Sequence, residues 1–404
     1  MRAVFRNHEK IQLNKWDLLL VFGAVLSPMT GLRIWKIGPA EVLCLIWALR
    51  YVSMKRLVLD EHARFFILFL IGMFLGTLVC IVVAPEELNT EGWATWIYLA
   101  FISCVLLKRI RKNSLEYNIK LFDVICRLCV LWYLFLYGYS LLVGRVFLGA
   151  PLWYHNLRYS GGGTNPHQVA VMLCGIAFWF SGRALQGKSF LLNTLFFGIT
   201  VYLETQTRSS TGLAAIFLAS LVLLVIVTVQ RVKHKRNRAI IITLEIAAGV
   251  LIAVIFYRVI YQMVYEWIAD DSNGIGRFYI WSSFRNVLRK SPVFGLGPGE
   301  HTLTQLGELQ ELHNTYLEIY AASGLLGFFA FVILSIRVFR TVARGNLAML
   351  PILISMYMYN FAGFSMRRLV YWVIITFVFV ISEQCFATAA LDGGRFGSYR
   401  NYLR

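Results

Sequence analysis

The sequence predicts an all-α, polytopic integral membrane protein of about twelve transmembrane helices, and three observations carry that reading. The chain of 404 residues is 58% hydrophobic and only 15% charged, with a mean hydropathy of +0.64, whereas a soluble domain usually carries about 25% charged residues. Apolar runs of spanning length recur from Trp16 to Ala390, leaving no long polar interval for a separate globular domain. The runs are continuously apolar, as over 209–230, and do not alternate in ten-residue segments as a membrane β-barrel would. A helix satisfies its backbone within itself, which a bilayer demands. Residues 1–404 therefore read as a single transmembrane domain.

A span needs about 20 apolar residues, fewer where charged ends snorkel. Read in order, the spans fall at 16–30, 38–53, 63–84, 92–107, 119–148, 167–184, 189–205, 209–230, 239–261, 315–336, 347–364 and 369–388. The first follows a basic, polar N-terminus ending at Lys15 without a small-residue cleavage site, so it reads as an uncleaved span and not a signal peptide. The first two spans are short and are divided by residues 30–37. The third ends at the acidic turn 85–91, with Glu86, Glu87 and Glu91. The fourth runs into Lys108-Arg109-Ile110-Arg111-Lys112, and the eighth into the basic stretch 231–238. Between the ninth and tenth lies the longest interval, 262–314, which reads as a partly helical periplasmic loop.

Charge sets the expected orientation. Most of the 39 Lys and Arg residues gather in short clusters between spans, the signature of cytoplasmic loops facing anionic lipid. The same distribution argues that the net charge of +18 serves membrane lipids, with no nucleic-acid partner. Both termini are then cytoplasmic, and the acidic turn 85–91 faces outward. The seven cysteines all fall inside apolar runs, away from loops where oxidation would favour disulfides. Cys126 and Cys129 have metal-ligand spacing but sit mid-span without a second pair, so they read as helix-packing residues.

Three outward features are more than connectors: 149–167, 205–210 and 262–314. In or beside the third, Arg258, Arg277, Arg285, Arg289 and Lys290 oppose the charge rule. Either a long loop tolerates them or they bind an anion. Residues 275–290 place Arg277, Trp281 and Arg285 at i, i+4 and i+8, near one face of an amphipathic helix at the membrane surface. Ser291-Pro292 ends that helix. Arg208 stands among Thr207, Ser209 and Ser210 where one span ends and the next begins. It is either a snorkelling anchor or part of a polar pocket at a helix start that attracts phosphate. Gly295, Gly297 and Gly299 lack the Lys-Ser/Thr of a P-loop and read as a tight turn. His313 closes the arginine-rich interval and suits a general base, because imidazole titrates near neutrality. His155, His167 and His301 also face outward, but none pairs at helical metal-site spacing, so no metal and no cofactor is expected.

In this order, the pieces resemble the O-antigen ligase/Wzy-type polysaccharide polymerase family. The matching stretches are Ser160-Gly161-Gly162-Gly163-Thr164-Asn165-Pro166-His167-Gln168, Thr207-Arg208-Ser209-Ser210, Gly276-Arg277-Phe278-Tyr279-Ile280-Trp281, Ser291-Pro292-Val293-Phe294-Gly295-Leu296-Gly297 and His313-Asn314-Thr315-Tyr316-Leu317 with Gly324 and Gly327. They cover roughly residues 150–330. The resemblance implies a metal-independent, inverting glycosyltransferase of the GT-C type in the bacterial inner membrane. Such an enzyme moves a glycan from an undecaprenyl-pyrophosphate donor onto an acceptor sugar at the periplasmic face. By motif, Arg208 and Arg277 would hold the pyrophosphate, with Arg158, just before the Gly-rich loop, as a further candidate. His313 would activate the acceptor hydroxyl, with Asn314, Trp281 and Arg285 in support.

Two acceptors remain open on this reading. A polymerase extends a lipid-linked glycan and works with a chain-length regulator, whereas a ligase delivers to lipid A-core. Asn165-Pro166-His167-Gln168 and the modest third loop favour the polymerase. A transporter or flippase is the rival from another class. It would show repeated halves and midplane ionisable groups, but no repeat is evident, and Arg127 and Glu245 stand alone.

Overall fold

The computed structural model describes residues 11–34, 37–52, 59–90, 92–232, 234–255, 275–303 and 309–391. Its helices are α1 (Asp17–Leu26), α2 (Pro39–Tyr51), α3 (Glu61–Val83), α4 (Gly92–Lys112), α5 (Leu115–Leu142), α6 (His167–Leu185), α7 (Phe190–Thr207), α8 (Ser210–Arg231), α9 (Lys235–Ile255), α10 (Ile275–Lys290), α11 (Thr315–Gly345), α12 (Leu350–Tyr359) and α13 (Leu369–Leu391). Side-chain caps start several of them. Asp60 accepts from the Ala63 amide at 2.8 Å, and Ser209 from the Gly212 amide at 3.1 Å. Each predicted span carries helix; the ninth is helical to Ile255, and 256–261 lie outside the described residues.

Among the described residues, six helices are long and apolar enough to cross a membrane: α3, α4, α6, α8, α11 and α13. The chain is thus a helical membrane protein, and six of the twelve predicted spans meet this standard alone. The physical reason is length or charge. α1, α2 and α12 have 10, 13 and 10 residues, or roughly 15–20 Å at 1.5 Å per residue, against a hydrocarbon core of about 30 Å. α5 is long enough, with 28 residues, but carries Glu116, Lys120, Asp123 and Arg127 in its first half.

α6 and α13 form the interior: 83% and 78% of their most apolar windows are buried, against 33% for α3 and α8. A helix apolar on all sides belongs inside a bundle. Small residues let its neighbours close in, and a Cβ on Gly175 of α6 would meet Met356 and Ile374 at 2.7 and 2.8 Å. Phe122 of α5 stacks on Phe377 of α13 with centroids 4.9 Å apart. At one end of the bundle Arg111 bonds Glu61 (2.7 Å) and Glu383 (2.8 Å), Arg337 joins Glu61, and Arg109 reaches Asp17 at 3.2 Å. The segments predicted to face outward meet at the other end.

Those segments contain strands that hydropathy did not predict. Antiparallel pairs join β1 (Val146–Phe147) to β2 (Ala150–Pro151), β3 (Trp153–Tyr154) to β4 (Arg158–Tyr159), and β5 (Thr302–Leu303) to β6 (Leu309–Gln310). α10 has the predicted bounds, and it packs on protein. Ile280 and Val287 are buried with Leu296, Leu312, Ala321 and the end of α3, while Phe284 meets Tyr320 edge to face at 5.5 Å. α11 breaks at Gly324, whose φ of 61° and ψ of −157° are not helical. The turn after α10 fills the break: the Leu325 amide donates to the Val293 carbonyl at 2.8 Å, and the Leu296 amide to Ala321 at 2.7 Å.

Candidate functional site

His313 sits on a connector held from both sides. Asn314 caps α11, its side-chain oxygen accepting from the amides of Tyr316 (3.0 Å) and Leu317 (3.2 Å) while its NH2 donates to the Phe361 carbonyl at 3.0 Å. Thr315 donates its amide to the carbonyls of Asn360 (2.9 Å) and Gly363 (3.1 Å), which ties α11 to the end of α12. On the other side, Trp281 of α10 donates its indole N–H to the Leu312 carbonyl at 2.8 Å. His313 itself has φ near 50°, and its Nε2 lies 3.2 Å from Gln310 Nε2. Trp281 and Asn314 therefore fix the backbone that presents the imidazole. Arg285 is exposed and, among the described residues, makes no hydrogen bond or ion pair. Arg277 falls in the first turn of α10, and its side chain lies outside the described residues.

Arg208 occupies the turn between α7 and α8 in the left-handed conformation (φ 49°, ψ 36°), exposed at the end of the bundle. The turn is tied from below: Thr207 Oγ1 donates to the Glu204 carbonyl at 2.7 Å and accepts from the Ser209 amide at 3.2 Å. Arg158 of β4 donates Nε–H to the Thr207 carbonyl at 3.1 Å, which places a second guanidinium beside Arg208. Burial, and then the Arg208 charge, push the Arg158 pKa down, while Tyr359, Tyr154 and Glu204 oppose the shift. The structure thus brings Arg158 and Arg208 together.

The link from these arginines to His313 comes from residues the sequence analysis did not select. Tyr359, at the end of α12, is an electrostatic neighbour of both Arg158 and Arg368, and its hydroxyl lies 2.8 Å from His167 Nδ1. Arg367 is paired with Glu311, two residues before His313. Burial acts to raise the Glu311 pKa, but Arg367, Arg368 and His313 outweigh it and hold the carboxyl below its ordinary range. Hydrogen bonds and an ion pair thus tie Arg158 to the Arg208 turn, Tyr359 to His167, and Arg367 to Glu311. One signal was present in the sequence: Arg367 and Arg368 stand side by side in a short connector that the charge rule predicts to face outward, where basic residues are disfavoured.

The Gly-rich stretch serves packing around this cluster. Gly161 and Gly162 adopt positive φ, and a Cβ on Gly161 would come within 2.6 Å of the Tyr133 ring. The Gly31 amide donates to the Gly162 carbonyl at 2.9 Å, and Thr164 and Gln168 bond the Thr30 hydroxyl. His301 is buried, with Nε2 3.0 Å from the Gly297 carbonyl and Nδ1 3.5 Å from Glu87. Among the described residues, no three His, Cys, Asp or Glu side chains converge as metal ligands would.

Arg208 in an exposed turn with Arg158 bonded to it suits the binding of a phosphorylated substrate, and an imidazole on a connector held from both sides suits removal of a hydroxyl proton. No curated protein matches the chain. Residues 192–332, from α7 into the second half of α11, match the family model Wzy_C, described as O-antigen ligase, and this stretch bears Arg208, Arg277 and His313.

Proposed function

We propose that the protein is a metal-independent, inverting glycosyltransferase of the bacterial inner membrane, most simply a Wzy-type polymerase. It transfers a glycan from an undecaprenyl-pyrophosphate donor to a second lipid-linked glycan. Residues 1–404 form one membrane domain with both termini in the cytoplasm, and 262–314 lie in the periplasm. Arg208 and Arg277, with Arg158, hold the pyrophosphate. His313 accepts the proton of the acceptor hydroxyl as its oxygen attacks the anomeric carbon, and the pyrophosphate leaves with the electrons of the broken C–O bond. Charge builds on the leaving group, where fixed guanidiniums stabilise it without a metal. A chain-length regulator is the expected protein partner.

The observations that most support this reading are the guanidinium of Arg158 bonded to the turn that carries Arg208, and the Arg367–Glu311 pair two residues before a His313 whose backbone is held from both sides. A second reading, an O-antigen ligase delivering to lipid A-core, is favoured by the description of the matching family. Incubating the purified full chain with a lipid-pyrophosphate-linked glycan and each acceptor separates the two. Extension of the lipid-linked acceptor supports the polymerase, and product on lipid A-core alone reassigns the chain as a ligase. Transfer to neither, in lipid that keeps the protein folded, rejects both.

A further inference from the structure

Arg368 lies at the end of the connector between α12 and α13, and its guanidinium has no counter-charge of its own. Among the described residues the guanidinium makes no ion pair and donates no hydrogen bond, although the residue is half-buried. Its basic neighbours are satisfied: Arg33 pairs with Glu41, and Arg367 with Glu311. The groups that face it are therefore two arginines, one carboxylate already engaged by Arg367, and the Tyr359 hydroxyl. Burial, and then the Arg367 charge, push its pKa down to about 10, so it stays charged at neutral pH.

A charge partly withdrawn from water is costly unless it is paired and hydrogen-bonded. Glu311 attracts Arg368 from a distance, but among the described residues no group accepts a hydrogen bond from its guanidinium. The connector that carries Arg368 is bonded to the backbone beside His313: Asn314 donates to the Phe361 carbonyl at 3.0 Å, the Thr315 amide to the Gly363 carbonyl at 3.1 Å, and Arg367 pairs with Glu311.

We propose that Arg368 is a phosphate-binding residue of the site, contacting a phosphoryl oxygen of a lipid-linked substrate on the His313 side. The proposal rests on the transferase reading above. The phosphoryl group belongs either to the departing pyrophosphate of the donor or to the phosphate that anchors the acceptor, and both have the chemistry a planar guanidinium grips with two parallel hydrogen bonds.

The test uses the full chain in detergent, with inorganic pyrophosphate as the probe at low ionic strength. Arg368→Met, Arg368→Lys and Arg208→Ala are compared with wild type for ligand-free melting temperature and pyrophosphate affinity. Expected is an Arg368→Met protein that melts no lower than wild type yet binds pyrophosphate about 10–100-fold more weakly, the loss of a charge-assisted contact. Arg368→Lys should lose severalfold at an unchanged melting temperature. A lower melting temperature in Arg368→Met with wild-type affinity would make the residue structural and overturn the proposal. Should that variant fail to fold, unchanged affinity in Arg368→Lys overturns it equally. If Arg208→Ala loses binding while both Arg368 variants keep it, Arg368 is excluded and the transferase reading stands. If wild type takes up no pyrophosphate, both fall. In transfer assays of Arg368→Lys, a rise in KM for the donor alone assigns the contact to the pyrophosphate, and a rise for the acceptor alone assigns it to the acceptor's phosphate.

Discussion

Replacing Gly324 by alanine should damage both stability and transfer, and the size of the effect follows from the geometry at the break in α11. The φ of 61° and ψ of −157° at this position are open only to glycine, and a side chain held there costs about 1–3 kcal/mol. A Cβ would also stand 2.1 Å from the Val293 carbonyl oxygen, and 2.5 and 2.6 Å from Phe294 backbone carbons. Backbone atoms cannot swing aside, so relief requires moving the 293–297 turn, and overpacking of this kind adds about 1–3 kcal/mol. That turn is itself confined. A Cβ on Gly76 of α3 would fall 2.6 Å from the Gly297 nitrogen, and the Leu325 amide is bonded to Val293. Together the two effects give roughly 2–6 kcal/mol. The turn follows α10, whose Trp281 holds the residue before His313, so activity should fall with stability. Thermal unfolding of purified protein beside a glycan-transfer assay measures both. Gly198→Ala is the control, because it lies in α7 with nothing within 4 Å of the added Cβ, and it should be neutral or gain up to about 1 kcal/mol. If Gly324→Ala melts and turns over like Gly198→Ala, the break in α11 is not the constraint described here.

Four further outcomes are expected. His313→Ala should lower the transfer rate by about 10²–10⁴ with donor binding kept, and wild-type activity should rise with pH across imidazole titration; exposed His155 is the control, and a dead His155→Ala beside an active His313→Ala would move the base elsewhere. Arg208→Ala and Arg277→Ala should each nearly abolish transfer, with Lys poor at both positions, and full activity in either Ala variant removes that residue from the site. Glu311 has a depressed pKa in the folded state, so its pair with Arg367 contributes fully above the unfolded value of about 4.3 and is lost as pH falls through the folded one; Glu311→Gln should therefore melt lower at pH 7 and lose less on acidification, and equal acid sensitivity in both proteins contradicts the pair. An impermeant thiol reagent should label a cysteine at Ser272, which lies outside the described residues, in intact spheroplasts but spare one at Asn237; the reverse pattern inverts the topology.

Much of the helical framework was legible because burial in a membrane is written locally, residue by residue, in long apolar runs. The bounds of α10 followed from Ile275 through Lys290 and the Ser291-Pro292 stop, and the tenth span was placed from residue 315, where α11 begins. Six apolar helices, and the stretch that matches the O-antigen ligase family, were likewise visible in composition and motif order. The number of complete crossings was less so, since α1, α2 and α12 are apolar but short.

What only the tertiary structure decided is which groups meet. Hydropathy separates Arg158, Arg208, Glu311, His313, Tyr359 and Arg368 by as many as two hundred residues, and nothing in local pattern tells one outward arginine from another. Packing of α12 and α13 against α6 and α11 carries Tyr359 to His167 and Arg367 to Glu311. The break at Gly324 was equally hidden. A lone glycine in an apolar run reads as an ordinary packing residue until another segment, here 293–297, is seen to need its space. Local sequence set where the chain is helical, because each helix satisfies its own backbone. The site was set by contacts between helices, because charges withdrawn from water keep their position only where distant parts of the chain, or a bound anion, answer them.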